Sequence, residues 1–182
     1  MITPDNPQLN NEKNNETINE TNRIRLIFAS DHAGFLYKEQ LKDFIENHDN
    51  AQELVFVAGD TGTYSEDSVD YPDFIHSAVR LRDKMVLERP NETVYCVFIC
   101  GSGNGVSMTA NKYPTVRAGL CWEPEIAQMA RAHNNANALS IPARYVSVVD
   151  ARKILLTFLE TEFEGGRHQR RVGKIAIPNV TI

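Results

Sequence analysis

Val94-Tyr-Cys-Val-Phe-Ile-Cys-Gly-Ser-Gly-Asn-Gly105 joins a nearly continuous apolar run to a loop with three glycines in five residues. A short run with no polar interruption is what a strand buried on both faces requires, whereas strict alternation would mark a strand with one wet face. Outward from it, Ile24 to Ala29 and Leu54 to Val57 read as earlier strands, and Val116 to Leu120 and Asn137 to Ser140 as later ones. Helical periodicity fills the gaps. Lys38 to Asn47 places Leu41, Phe44 and Ile45 on one face, and helices are expected at Asp73 to Leu87, up to about Lys112, at Pro124 to Ala132 and at Val149 to Glu162. Short β-rich runs alternating with helical segments predict an open α/β sandwich built on parallel strands. A loop rich in Gly, Asp, Ser and Thr runs from Gly59 to about Asp70.

A chain of 182 residues suits one domain with some extra length. Residues 1 to 22 hold seven Asn and two Pro, with too few apolar side chains to offset the entropy of ordering. A disordered leader is expected there, followed by a single domain over 23–182 that ends in a basic segment. The formal net charge of −5 gives no general attraction to nucleic acid or to an anionic membrane, so an anionic ligand would need a local cluster of positive groups. Cys96, Cys100 and Cys121 form an odd set without metal-type spacing, against both a disulfide framework and a zinc site. No signal-peptide pattern or membrane-length apolar run is present, and the cytoplasm is the expected compartment. The sequons at Asn15, Asn19, Asn91 and Asn179 then read as chance.

Ligands of open parallel sheets collect at the carboxyl ends of strands. Ser30-Asp31-His32-Ala33-Gly34, the Cys100 to Gly105 loop, and His133-Asn134 near the strand at 137 are the suggestive places. The glycine loop can turn backbone N–H groups into a cavity and hold negative charge at the start of a helix. It lacks the Gly-Lys-Ser/Thr of a phosphate-binding Walker loop. A dinucleotide fingerprint stays open, with Glu123 as the ribose-binding acid, although Val106 stands at the third glycine position. Cys100, at the strand–loop junction, suits a base or nucleophile favoured by nearby N–H dipoles; a buried small hydrophobe is the equal alternative. Cys96 and Cys121 read as packing residues. Asp31 can cap a helix or accept a proton, and His32 adds a titratable donor. His133 can serve catalysis or simply meet a helix dipole. His48 and His76 read as surface helix residues. Arg167 and Arg171 stand at i, i+4, so both could face one anion if that segment is helical, the alternative being a solvated basic tail.

Taken together, Ser30-Asp-His-Ala-Gly34, Asp70-Tyr-Pro-Asp73, Cys100-Gly-Ser-Gly-Asn-Gly105, Ala110-Asn-Lys112, Arg117-Ala118, His133-Asn134 with Ala136-Asn137, and Gly165-Gly-Arg-His168 with Arg171 closely resemble ribose-5-phosphate isomerase type B and its relatives, which include galactose-6-phosphate isomerase subunits. The resemblance spans roughly residues 24 to 175. It implies a Rossmann-like three-layer sandwich with a mostly parallel five-stranded sheet, and a homodimer at least, with tetramers also open, whose active sites are shared between subunits. Neither metal nor cofactor is implied. By similarity, Cys100 moves a proton between C2 and C1 of a small phosphorylated sugar through a cis-enediolate, and the amides of Gly101, Gly103, Asn104 and Gly105 hold the enediolate oxygen with help from Ser102. Asp31 and His133 look like the groups that open the furanose ring. His32, Arg144, Arg167 and Arg171 look like a phosphate clamp, with Tyr71 and Asn134 bonding sugar or phosphate oxygens.

One branch of the family carries a glutamate base just after the glycine loop, where this chain has Val106; Cys100 is then the remaining base in the loop. Other departures are the long loop from Gly59 to Ser68 and Ile141-Pro-Ala143 where the family usually has a glycine before Arg144. Ribose 5-phosphate is the expected substrate. A six-carbon phosphate such as allose 6-phosphate or galactose 6-phosphate, a nicotinamide-dependent oxidoreductase, and a non-catalytic sugar-phosphate sensor are the alternatives.

Overall fold

In the computed structural model, which describes residues 23–47 and 55–176, strands β1 (Ile24–Ser30), β2 (Val55–Asp60), β3 (Thr93–Cys100), β4 (Ala118–Leu120) and β5 (Ala138–Pro142) form one sheet in the order β2-β1-β3-β5-β4. Every neighbouring pair is parallel. The mostly parallel sheet expected from the resemblance is therefore parallel throughout. Helices α1 (Phe35–Asn47), α2 (Tyr71–Glu88), α3 (Asn104–Ala110), α4 (Pro124–Asn134), α5 (Val148–Glu160) and α6 (Gly166–Val172) complete the fold.

Strand β3 shows why the sequence reads as it does. Its side chains alternate, with Tyr95, Val97 and Ile99 packing among Leu41 of α1 and Leu155 and Phe158 of α5. Cys96, Phe98 and Cys100 turn the other way, among Ile75 and Val79 of α2 and Val106 of α3. Helices cover both faces, giving three layers, and no β3 position after Thr93 can be polar without losing hydration. Each large apolar side chain fully buried this way stabilises by roughly 1.5–3 kcal/mol.

Local chemistry sets the boundaries. After β1, the Asp31 side chain accepts the Gly34 amide at 2.9 Å and closes a 3₁₀ turn over His32–Gly34. That turn feeds α1, which begins at Phe35, three residues ahead of the expected Lys38. A Cβ on Gly34 would lie 2.3 Å from the Ile99 carbonyl oxygen, so only glycine lets the loop after β1 press against the end of β3. The strand expected from Val116 begins at Ala118, because the Val116 amide donates to Tyr113 O and the Arg117 amide to Asn137 Oδ1. The basic segment after Gly165 is helical as α6, so Arg167 and Arg171 do stand one turn apart. The proposed leader, His48 and the sequon at Asn179 lie outside the described residues. His76, expected at the surface, is half-buried, with Nδ1 2.7 Å from the Tyr113 hydroxyl. Among the described residues no helix is long and apolar enough to cross a membrane.

Among the described residues two basic side chains other than His are buried, Arg131 on α4 and, more completely, Lys38 on α1. The Lys38 side chain is fully buried, with Nζ 2.7 Å from both carboxylate oxygens of Asp60 at the end of β2 and 4.9 Å from the Tyr64 ring centre. Asp60 also accepts from Lys42 and from the Gly62 amide, while its own carbonyl accepts the Tyr64 hydroxyl. This pair anchors the start of the loop that pairs with Ser30 through Gly62 and Thr63. Burial alone would raise the Asp60 carboxyl, but the hydrogen bonds from Lys38, Lys42 and Gly62 outweigh it and hold it below the ordinary carboxylate range. With the folded value depressed, the stabilisation should be complete above about pH 5 and decline as pH falls below about 4. Lys38→Met, which removes the buried donor and leaves the carboxylate with Lys42 and the Gly62 amide, should cost on the order of 2 kcal/mol in urea unfolding at neutral pH, and a cost within ~0.5 kcal/mol of zero would show that the pair is not holding the loop.

Candidate active site

The carboxyl ends of β1, β3 and β5 meet at a cavity of about 450 Å³. Asp31 and His32 enter it from the turn after β1, Cys100, Gly101 and Ser102 from the end of β3, and Arg144 from the turn after β5. Gly105 and Tyr71, at the starts of α3 and α2, close one side. Eight of the residues singled out from the sequence thus share one space. A larger cavity of about 640 Å³ lies along β4 and α6, but no carboxylate, thiol or imidazole lines it, so proton-transfer chemistry belongs to the smaller one.

Cys100 is the last residue of β3 and is 4% exposed. Its Sγ accepts the Gly103 amide at 3.0 Å. The bond needs Gly103 in the left-handed region, φ 72°, with Leu120 Cδ1 only 2.3 Å from where a Cβ would sit. Both facts restrict the position to glycine. Gly103 is buried and does not line the cavity; its part is to hold the sulfur. Asn104 opens α3 and turns to an adjoining cleft with Leu120 and Trp122. Of the other cysteines, burial pushes the Cys96 and Cys121 thiols up to about 12, so neither offers a thiolate near neutral pH.

Neighbouring groups are set by backbone contacts. Ala143 and Arg144 donate their amides to Cys100 O and Gly101 O at 2.9 and 3.0 Å, and the Arg144 side chain passes 3.2–3.3 Å from the position of a Gly101 Cβ. Pro142 therefore leaves Arg144 at the cavity: the residue that would need an amide for this turn is Ala143, not Pro142. The Tyr71 ring lies against Gly105, where a Cβ would come within 2.5 Å of it. His32 Nδ1 accepts the Val69 amide at 3.3 Å, which leaves Nε2 as the donor of a neutral ring. Val69 escapes the sequence reading because it acts through its backbone. Tyr145, 75% exposed, also lines the cavity, and an aromatic directly after Arg144 was the signal for it. Glu123 precedes α4 at the surface and does not reach this space.

The remaining candidates lie elsewhere. His133 and Asn134 end α4, which runs antiparallel to the strands, and they precede β5. Grouping them with the carboxyl ends of strands is therefore corrected: the chain holds them at the opposite end of the sheet from Cys100, ahead of β5 instead of after it. The Arg117 guanidinium caps α4 there by donating to the carbonyls of Asn134 and Asn135. Helix α6 packs against α4 and brings Arg167, His168 and Arg171 to the same end. The His133 and His168 rings stack 4.2 Å apart and 4° from parallel. Glu164 Oε2 lies 3.7 Å from His133 Nε2 and 3.6 Å from His168 Nε2. Among the described residues these three form the one group that could hold a metal ion. The geometry suits a stack better, because an imidazole lone pair lies in its ring plane and parallel stacked rings cannot both aim at one ion.

Alkylation of the folded protein by iodoacetamide at neutral pH, read by mass spectrometry, should modify Cys100 ahead of Cys96 and Cys121. Equal labelling would contradict the sealed environment described for the other two.

The sequence pattern of the Ribose/Galactose Isomerase family matches residues 26–175. The chain is similar to ribose-5-phosphate isomerase B of Escherichia coli, with 33% identity over 83% of this chain and 93% of that protein. Its fold is similar to the crystal structure of a ribose 5-phosphate isomerase from Thermotoga maritima, with a TM-score of 0.71 and 41% identity over 83% of this chain and 96% of that one. It is also similar to ribose-5-phosphate isomerase B from Mycoplasma genitalium with bound ribulose-5-phosphate, with a TM-score of 0.70 and 37% identity over 84% of this chain and 94% of that one. The sheet order, the cavity at the end of β3 and a match running nearly the full length of these proteins agree: the chain belongs to the Ribose/Galactose Isomerase family.

Proposed function

We propose that the chain interconverts ribose 5-phosphate and ribulose 5-phosphate, with Cys100 as the base. The observation that carries this reading is a single cavity-facing thiol, held by a glycine-loop amide, in the same space as Asp31, His32 and Arg144. The similar Mycoplasma genitalium protein with bound ribulose-5-phosphate supports the substrate class.

In the open-chain aldose the Cys100 thiolate takes the proton from C2, and the electron pair moves to form the enediolate. The thiol returns that proton to C1 while the proton on O2 passes to O1, which completes the ketose. With the Gly103 amide on the sulfur, the enediolate oxygen falls to the other amides of the loop, assisted by Ser102. His32 through Nε2 and Arg144 hold the phosphate, and Tyr71 bonds a sugar oxygen. The reaction so written needs neither metal nor cofactor.

Ring opening and the rest of the clamp call for a second subunit. Asp31 lies at the cavity, whereas His133, Asn134, Arg167 and Arg171 stand at the far end of the sheet, so we assign these four to the site of a partner copy in a homodimer. Exposed apolar side chains, Tyr145 at 75% on the cavity, Trp122 at 51% on the cleft beside it and Met108 at 64% on the next cleft along α3, support a covering partner. Three free thiols suit the reducing cytoplasm.

Cys100→Ala should lower kcat by about a thousandfold while leaving KM for ribose 5-phosphate within a few-fold, and retained turnover would remove Cys100 from its role. Mixing inactive Cys100→Ala and His133→Ala chains under conditions that re-equilibrate subunits should restore about one quarter of wild-type activity from ribose 5-phosphate, because the mixed dimer rebuilds one of its two sites. No recovery in a mixture verified to contain mixed dimers would place both groups in one subunit's site.

A further inference from the structure

Orienting an imidazole takes two constraints, one on the plane of its ring and one on which edge faces the substrate. His133 has both, from different residues. His168, 6% exposed, lies flat beneath it. Glu164 faces the Nε2 edge of both rings at nearly equal distances, 3.7 and 3.6 Å. The segment carrying the carboxylate is fixed to α4 next to His133, since the Glu164 amide donates to Ala132 O at 3.0 Å. Gly165 and Gly166, both at positive φ, then turn the chain so that His168 comes back under His133.

Charge keeps the stack together. Arg167 Nε donates to His168 Nε2 at 3.2 Å, so that nitrogen is an acceptor and the ring is neutral. Burial, with the adjacent His133 and Arg167, holds the His168 imidazole below its usual value, against the opposing pull of Glu164. The lower ring thus takes no charge near neutral pH, and two cationic imidazoles need not stack. The Glu164 carboxylate is 57% exposed and supports neither core, which makes a merely structural explanation of its placement weak.

We propose that Glu164 is a positioning residue that orients His133 for opening the furanose ring, with His168 as the flat support beneath. This rests on the reading of His133 as a ring-opening group. Its chemistry supplies a selective test. Ribose 5-phosphate is mostly a furanose closed between C1 and O4, and must be opened before C2 can lose its proton. Ribulose 5-phosphate has its O5 esterified and no five-membered ring available to it, so it enters as an open chain, and the aldose it yields can close in solution. A residue acting only through ring opening therefore matters in one direction.

The full-length protein carrying Glu164→Gln, which keeps the size and the backbone bond to Ala132, should lose on the order of tenfold in kcat from ribose 5-phosphate. Its KM should be unchanged, and its rate from ribulose 5-phosphate should stay within about twofold of the unaltered protein. Glu164→Asp, which keeps the charge, should recover part of the loss. Equal losses in both directions, or no loss in either, would overturn the proposal. His133→Ala, measured alongside, separates the two levels: if it too shows no directional bias, the ring-opening assignment of His133 has failed, whereas a bias in His133→Ala without one in Glu164→Gln sinks the role of Glu164 alone.

Discussion

The hydrogen bond from the Gly103 amide to the Cys100 sulfur closes the turn through which a sealed strand becomes a site. Upstream of it every β3 side chain after Thr93 is packed between helices, and the first atom free to meet a ligand is at the strand's last residue. The turn in its place, the ends of β1 and β5 fall into contact with it: Asp31 donates its amide to Ile99 O, and Ala143 and Arg144 donate theirs to Cys100 and Gly101. These are short backbone bonds between elements far apart in sequence. They set the positions of the acid, the thiol and the guanidinium relative to one another before any side-chain rotamer is chosen.

A second, more distant constraint secures the loop ahead of α2. Lys38 gives up all hydration to Asp60, and the buried charge is tolerated because the carboxylate is itself satisfied by Lys42 and the Gly62 amide. The loop that starts there carries Val69 to His32 and Tyr71 to Gly105. A pair buried beneath a long loop thus governs side chains at its other end.

The fold was legible where burial is two-sided. Runs such as Leu26 to Ala29 and Val94 to Ile99 admit few readings, and Gly101, Gly103 and Gly105 mark where the chain must turn. Where burial depends on one side chain, the signal fades. Only His168 of α6 is buried, so the segment has no apolar stripe and its helix could be stated only conditionally. Lys38 looks like a solvated residue of an amphipathic helix, since nothing local announces Asp60 as its partner. Cys100, Asp31, His32 and Arg144 could be collected from positions after strands together with the family resemblance. The opposite placement of His133 follows from the direction of α4, a fact of topology that a residue's nearness in sequence to a strand conceals. The stacking of His133 on His168 across 35 positions of chain, with Glu164 beside both, leaves no pattern in the text at all.

The antiparallel return of α4 has a consequence beyond geometry. With thiol and imidazole at opposite poles of each chain, a lone copy under the shared-site reading is an incomplete catalyst however well it folds. Output then depends on encounters between copies, rising with the square of their number when they are scarce. A substitution at a subunit seam would present as a chemical lesion while every group around Cys100 stayed where it belongs.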